Sequence, residues 1–134
     1  MASNLKYAVA LKNARLNQIT SQLGTSALLS IYSGTQPTNP DTALSGNTLL
    51  AQLVCSSTFA AGASGGVLTA NAIATETSAN NTGTATWGSL TTSGATRIVD
   101  FSAGTSGTDL ILNTTSIVAG ASVAVSSLTI TSGN

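Results

Sequence analysis

Apolar side chains recur at helical spacing over residues 3–23. Five of them fall on one stripe of a helix: Leu5, Val9, Leu16, Ile19 and Leu23. The stripe is interrupted at Lys12. Ser3 is a suitable N-cap, because its hydroxyl can accept a hydrogen bond from a free backbone N–H of the first turn. Gly24 is a suitable C-cap. The pattern predicts one amphipathic helix over residues 3–23, packed either on its own domain or on a neighbouring subunit.

The period of the apolar positions changes to two after Ala27, which is typical of strands. Strands are predicted at residues 28–32, 49–56, 67–74, 84–90, 96–102, 109–113 and 122–131. A loop over 34–46 contains both prolines, which stiffen it and remove backbone donors. Strands 84–90 and 96–102 are expected to pair as a hairpin with Gly94 in its loop. Alternation would then place Arg97 on the same face as Val99 and Phe101.

The last predicted strand contains a change of phase. Val123 and Val125 fall on one face, whereas Leu128 and Ile130 fall on the other. One extra residue near 126–127 would restore a single buried face, so the pattern predicts a β-bulge or a bend there.

Short strands with turns at regular spacing are typical of β-sandwiches and barrels. We therefore expect a mainly β fold: a single antiparallel β-sandwich, jelly-roll or Ig-like, of about seven or eight strands. The helix precedes it. The predicted division is 1–24 for the basic amphipathic helix and 25–134 for the sandwich, and the length of 134 residues fits one domain.

Composition supports an ordered β-rich chain. The sequence holds 19 Ser, 22 Thr and 13 Gly, and β-branched Thr suits strands while Gly suits turns. Disorder requires low hydrophobicity and high net charge. This chain is 42% hydrophobic with a formal net charge of zero. Only 4% of the residues are aromatic, so Leu, Ile, Val and Ala must fill the core.

Charge is scarce and unevenly placed. Three of the four cations lie within the first fifteen residues: Lys6, Lys12 and Arg15. The rest of the chain carries Arg97 and four acidic residues, a net charge of −3. A body this neutral has little charge repulsion to keep copies apart. The basic helix is therefore predicted to be a docking element formed by the three cations and the five stripe residues, for an acidic surface of the same chain or of another subunit.

The usual catalytic and metal-binding chemistry is missing. The chain has no histidine, which excludes His-based triads and the common His/Cys metal sites. The four carboxylates are Asp41, Glu76, Asp100 and Asp109; they share no motif, and Asp41 is interpreted as a turn former. A basic nucleic-acid face is also missing outside the first fifteen residues. We expect no catalytic residue, no cofactor, no metal and no nucleic-acid partner.

Cys55 is the only cysteine in the sequence, and Trp87 is the only tryptophan. Cys55 lies in an apolar run and is interpreted as a small buried hydrophobe, and a single cysteine allows no intrachain disulfide. Trp87 is interpreted as a buried core residue, although an exposed Trp87 or Tyr32 would suit a sugar-binding platform. No apolar stretch is long enough to span a bilayer, and no secretory signal is visible, so synthesis in a cytosol without self-directed export is expected.

Several segments resemble a known family. They are LLSIYSGTQP at 28–37, PDTA at 40–43, GVLTAN at 66–71, GTATW at 83–87 and LNTTSIVAG at 112–120. Together they are similar to a family of small virion structural proteins of tailed bacteriophages, over nearly the whole chain. The family hairpin carries an aromatic-Arg pattern after the Trp position, where this chain has Gly88, Ser89 and Leu90. The resemblance implies a virion component, assembled in the host cytoplasm, with no enzymatic activity to carry over.

Three functions are compatible with these observations. The first is a capsid decoration or cement protein that binds the major capsid protein. The second is a head–tail connector, collar or tail ring component. The third is a glycan-binding module of a tail fibre. The first two predict a homo-oligomer or many copies per particle, and copy number would separate them.

Overall fold

The computed structural model of the chain describes residues 5–132. Within this range there are one helix, α1 (Val9–Leu23), and nine strands. The strands are β1 (Leu28–Tyr32), β2 (Leu49–Val54), β3 (Val67–Thr69), β4 (Gly83–Thr84), β5 (Trp87–Thr91), β6 (Arg97–Gly104), β7 (Leu110–Leu112), β8 (Ser116–Ile117) and β9 (Val125–Thr131). No helix in this range is both long and apolar enough to cross a lipid bilayer.

Seven strands form one sheet in the order β2-β1-β5-β6-β7-β9-β3, and β4 pairs with β8 in a small second sheet. The mainly β fold with one helix near the N-terminus is thus confirmed. The expectation that every strand pair is antiparallel is wrong at one place, since β6 and β7 are parallel. This pairing joins only Ala103 to Leu110 and Gly104 to Ile111, so the short 105–109 connection suffices to bring the chain back alongside β6.

One edge strand of the large sheet, β2, is covered by the chain itself. Cys55, just after β2, forms a bridge with Ile73, which follows β3. Backbone N–H groups of Asn80 and Asn81 donate to the Leu50 carbonyl at 2.8 and 3.2 Å. The Asn81 side chain donates to the Leu49 carbonyl. These bonds occupy groups on β2 that an exposed edge strand would offer to another molecule.

An aliphatic core lies on one face of the large sheet. Leu29 opposes Leu90 and Gly88 opposes Phe101, and the side chains of Leu29, Leu90 and Phe101 are buried in one cluster. Gly88 has no side chain because there is no room for one: a Cβ there would lie 3.0 Å from Phe101 Cε1 and 3.2 Å from Leu110 Cδ2. Leu16 and Leu23 of α1 join the same cluster, so the helix and the sheets share one core.

The helix begins later than predicted. It starts at Val9, with Ala8 as an N-cap residue that makes no side-chain cap hydrogen bond. The helix predicted over residues 5–8 is therefore wrong, and Ser3 lies outside the described residues. Leu5 is 54% exposed, and a helical turn without tertiary packing is marginal in water. The predicted end is confirmed: Gly24 has a φ of 69°, and its N–H donates to the Thr20 carbonyl.

The strand predicted at 84–90 is divided in the structure, because Thr84 belongs to β4 and β5 begins only at Trp87. The strand β1 (Leu28–Tyr32), the 34–46 loop and the pairing of β5 with β6 follow the prediction. The shared face of Arg97, Val99 and Phe101 does not. Leu90 opposes Val99 but Thr91 opposes Arg97, so a bulge at Ile98 shifts the phase of the strand. Arg97 therefore lies on the same face as Asp100 and Trp87. Alternation along one strand cannot reveal such a bulge, because it arises from pairing with the next strand.

The bulge predicted in the last strand is confirmed. Ile111 opposes Ser127 and Leu112 opposes Val125, which leaves Ser126 as the extra residue. The third strand is shorter than predicted, ending at Thr69, and continues only as isolated bridges at Ala70 and Ile73.

Candidate functional site

The predicted docking residues divide into two groups. Leu16 and Leu23 are 4% and 1% exposed, and Ile19 packs partly buried against the same core. Leu5 and Val9, on the same predicted stripe, are 54% and 52% exposed. The second half of α1 thus packs on its own domain, which settles part of the question that the sequence left open.

The helix is tied to the body as far as its second turn. Asn17 Oδ1 accepts a hydrogen bond from the Ala63 N–H at 2.8 Å, and Asn13 Oδ1 accepts one from the Gly66 N–H at 2.9 Å. The aliphatic part of the Lys12 side chain lies against Gly66. A Cβ added to Gly66 would be 3.4 Å from Lys12 Cδ. These contacts join residues 12–17 of α1 to residues 63–66 of the body. We call residues 5–11 the N-terminal overhang.

The overhang is both apolar and basic. Leu5, Val9 and Leu11 are about half exposed. Lys6 is exposed, and Lys12 adjoins the overhang with a partly exposed side chain. Arg15 stacks on the Tyr7 ring, its guanidinium carbon 4.6 Å from the ring centroid. The salt bridge found within residues 5–132 joins Arg97 to Asp100, so none of the three cations of the helix region is in an ion pair there.

A second cluster lies on the face of the sheet opposite the aliphatic core. Trp87 stacks on Tyr32 with ring centroids 4.5 Å apart. The guanidinium of Arg97 lies over the Trp87 ring and forms a two-pronged ion pair with Asp100. The Arg97 and Asp100 side chains are 11% and 2% exposed. The predicted burial of Trp87 is confirmed at 0% exposure, but on this polar face and not in the aliphatic cluster.

Arg97 also fixes the 34–46 loop, which we call the Arg97-anchored loop. Its Nη1 donates to the Thr42 carbonyl and its Nη2 donates to the Asn39 carbonyl. At the base of the loop, Asn47 Nδ2 donates to the Ser33 and Thr35 carbonyls at 3.0 and 2.9 Å. The loop is therefore held at its base and near its tip.

The turn within the anchored loop is organised by Asn39 and not by Asp41. Asn39 Oδ1 accepts hydrogen bonds from the Asp41 N–H and the Thr42 hydroxyl. Asp41 lies in the turn as predicted, and the Thr42 N–H donates to the Asn39 carbonyl across it, but the side chain that caps the backbone is that of Asn39, two residues earlier. Asp41 is left exposed at the surface.

The anchored loop surrounds an open pocket of about 260 Å³. Its lining mixes hydroxyl, amide and apolar side chains: Thr35, Gln36, Pro37, Thr38, Thr42, Ala43, Ser45 and Asn47. Leu44, between two of these residues, is 43% exposed. Among residues 5–132, no ionisable side chain lines the pocket, so it offers an uncharged surface with an acidic residue, Asp41, in the same loop.

The remaining polar chemistry is dispersed. Asp109 accepts from the Ser102 hydroxyl, and Glu76 accepts from the Ser78 N–H. Residues 5–132 contain no group of three or more His, Cys, Asp or Glu that could hold a metal ion. Cys55 is buried as predicted, and that burial raises the pKa of its thiol to about 11.

Sequence reasoning missed the link between Arg97 and the loop. The available signal was the isolation of Arg97, the one cation beyond residue 15, with Asp100 three residues later. Comparison of the chain with protein-family models, with curated proteins and with solved structures gives no match in any of the three.

Proposed function

We propose that this protein is a non-enzymatic structural subunit of a tailed-bacteriophage virion. Within the particle we assign it to capsid decoration, as a cement protein that binds beside the major capsid protein. The observation that carries the proposal is the division of one apolar stripe. The body covers Leu16 and Leu23, whereas Val9 is left exposed next to cations that form no ion pair within residues 5–132.

The energetics favour docking through the apolar residues of the overhang. Burying a Val or Leu side chain that was fully exposed contributes about 1.5–3 kcal/mol. An exposed ion pair contributes only about 0–1 kcal/mol. Val9 and Leu11 are 52% and 47% exposed, so each contributes about half of this amount and the two together supply most of the affinity. The lysines supply orientation and a faster encounter.

The covered β2 edge supports the choice of the overhang as the docking surface. Because the Leu49 and Leu50 carbonyls on β2 are already occupied, strand addition at that edge would require the chain at 80–81 to move away. Trp87, which a glycan-binding module could present at its surface, is fully buried beside Tyr32 and Arg97. Docking through the overhang needs no such rearrangement.

The proposal is tested by adding variants of the protein to virus particles that lack it and measuring how much of each variant binds. The variant Val9→Glu places a charge on the overhang while favouring the helix N-terminus electrostatically, so α1 itself is preserved. The matched control is Val118→Glu, because Val118 is exposed to the same degree as Val9, 53% against 52%.

We expect Val9→Glu to reduce occupancy on the particle at least tenfold and Val118→Glu to leave it unchanged. Full occupancy with Val9→Glu would contradict docking through the overhang. Quantitative mass spectrometry of the particles then separates the possible positions. Hundreds of copies correspond to decoration, and about six or twelve correspond to a ring at the head–tail axis.

A further inference from the structure

The exposed apolar side chains of the protein fall into few places. Within residues 5–132, the large hydrophobic residues that are exposed are Leu5, Val9, Leu11, Leu44, Val54 and Val118. Three belong to the N-terminal overhang. Of the other three, Leu44 is the one with an exposed acidic residue, Asp41, within three positions in the chain. The anchored loop thus presents an apolar residue and a negative charge, the complement of the apolar and basic overhang.

We propose that the partner of the overhang is a second copy of this chain, and that the acceptor is the Arg97-anchored loop of that copy. Val9 and Leu11 of one copy pack against Leu44 and the pocket of the next, and Lys6 faces Asp41. This inference rests on the proposed docking role of the overhang and names the surface that receives it.

The acceptor is suited to binding because it is held in place before a partner arrives. Arg97 binds the carbonyls of Asn39 and Thr42, on either side of Asp41. Gly34 and Gly46 meet at the base of the loop, where a Cβ on Gly34 would lie 2.9 Å from the Gly46 carbonyl oxygen. A surface that is already ordered loses little conformational entropy on binding. The buried Arg97–Asp100 pair therefore positions the acceptor although neither side chain lies at the surface.

Donor and acceptor are different surfaces, so the contact is heterologous. Such contacts produce closed rings when the rotation between copies closes and open chains when it does not. Every copy both donates an overhang and accepts one. Around a symmetry axis of a particle, this arrangement links neighbouring copies to one another as well as to the surface beneath them.

Cysteine cross-linking tests the contact in the full chain. The variant Val9→Cys/Leu44→Cys is oxidised in solution at rising protein concentration, with Val9→Cys/Val118→Cys as the matched control. The native Cys55 does not interfere, because it is buried and its thiol has a pKa of about 11. We expect a ladder of covalent oligomers from the first pair, at least tenfold more abundant than from the control.

Two results of the cross-linking would overturn the inference. One is a ladder of equal abundance in both pairs, which would indicate random collision. The other is a monomer with an internal disulfide, which would place the overhang on the loop of its own chain.

Charge exchange gives an independent test. Lys6→Glu and Asp41→Lys are each expected to weaken self-association severalfold in analytical ultracentrifugation at low salt, and the double variant is expected to restore it. If the loss of self-association in the double variant equals the product of the losses in the two single variants, the Lys6–Asp41 contact does not exist.

The particle assay separates this inference from the proposed function. We expect Asp41→Lys/Leu44→Ser and Val9→Glu both to reduce self-association and occupancy. If only Val9→Glu reduces occupancy and the loop variant behaves as wild type in both assays, the overhang docks on another virion protein and the inference is wrong. If both variants lose self-association yet fill the particle, the contact between copies stands and the proposed docking role fails.

Discussion

The guanidinium carbon of Arg97 lies 5.6 Å from the centroid of the Trp87 ring. The two residues are on adjacent strands, and the bulge in β6 turns Arg97 to the face on which Trp87 lies. Through this contact the buried indole of Trp87, the first residue of β5, is connected to a cation that fixes the 34–46 loop. Both residues are therefore part of the support beneath the proposed acceptor surface.

Removing the Trp87 ring should destabilise the fold. Trp87 is fully buried and stacked on Tyr32, so Trp87→Ala is expected to lower the free energy of unfolding by about 3–5 kcal/mol. Urea titration followed by circular dichroism measures the change, and Val118→Ala, at an exposed site, should stay within about 0.5 kcal/mol. Native fluorescence from this single tryptophan should be blue-shifted. A red-shifted, easily quenched emission would instead place the ring at the surface.

Replacing only Arg97 of the Arg97–Asp100 pair should lower the free energy of unfolding more than replacing both residues. Arg97→Met leaves the carboxylate of Asp100, 2% exposed, without its counter-ion, and such changes cost about 3–5 kcal/mol. The double variant Arg97→Met/Asp100→Leu removes both charges and is expected to be more stable than Arg97→Met alone. The unfolding free energies of the wild type, Arg97→Met, Asp100→Leu and the double variant measure the coupling between the two side chains. Strictly additive effects would show that the pair contributes no interaction of its own.

The same substitution should also release the loop. Arg97→Met removes the donors to the Asn39 and Thr42 carbonyls, so the 34–46 segment is expected to become a preferred site of limited proteolysis. Mass spectrometry of the fragments locates the cut. If Arg97→Met is cut at the 92–96 turn earlier than in the 34–46 loop, and at the same rate as the wild-type protein, Arg97 does not anchor the loop.

Adding one methyl group at Gly88 should strain the core. The new Cβ of Gly88→Ala would lie 3.0 Å from Phe101 Cε1 and 3.3 Å from the Ser30 carbonyl oxygen, and overpacking of this kind costs about 1–3 kcal/mol. Gly94→Ala is the control, because a Cβ there meets only Thr92 Oγ1, at 3.7 Å. Thermal unfolding of the two variants should separate them clearly. Equal midpoints would mean that β5 can move away from Phe101.

Ionisation of Cys55 should make stability fall at alkaline pH. Burial raises the pKa of the thiol from 9.0 to about 11, so the folded state holds this proton more tightly than the unfolded state. The contribution is fully present below pH 9 and is lost as the pH rises toward 11, at up to about 1.4 kcal/mol per pH unit. The difference in unfolding free energy between wild type and Cys55→Ala isolates this effect from other titrating groups. A difference that stays constant from pH 8 to 11 would contradict it.

Truncation should show which part of the N-terminal region belongs to the fold. Removing residues 1–8 keeps Leu16 and Leu23, the two buried side chains of α1, and is expected to leave the chain folded. Removing residues 1–23 also removes Leu16 and Leu23 from the core, where loss of one such side chain costs about 2–5 kcal/mol. The 1–23 deletion is therefore expected to unfold or aggregate, which circular dichroism and size-exclusion chromatography would reveal. A folded, monodisperse product would show that the helix is dispensable for the body.

Local sequence patterns determined much of the fold. The change of apolar period after Ala27 separates the helix from the strands, and Gly24 ends the helix because it tolerates a positive φ. The phase change between Val125 and Leu128 locates the bulge at Ser126. These features depend on neighbours within a few residues, so the sequence alone contains the information. The same is true of the burial of Trp87 and Cys55, which follows from residue type and the apolar or small residues around them.

Tertiary structure decided what depends on contacts between distant segments. The stripe from Leu5 to Leu23 is apolar at both of its ends in the sequence, but the body covers only its second half, so the ends of the stripe differ in exposure. The bulge that turns Arg97 toward Trp87 arises from pairing with β5, and its bond to Thr42 spans 55 positions. The parallel β6–β7 pair likewise follows from how the chain returns after Gly104. Periodicity describes which face of an element is apolar, whereas packing decides how much of that face is covered and by which segment.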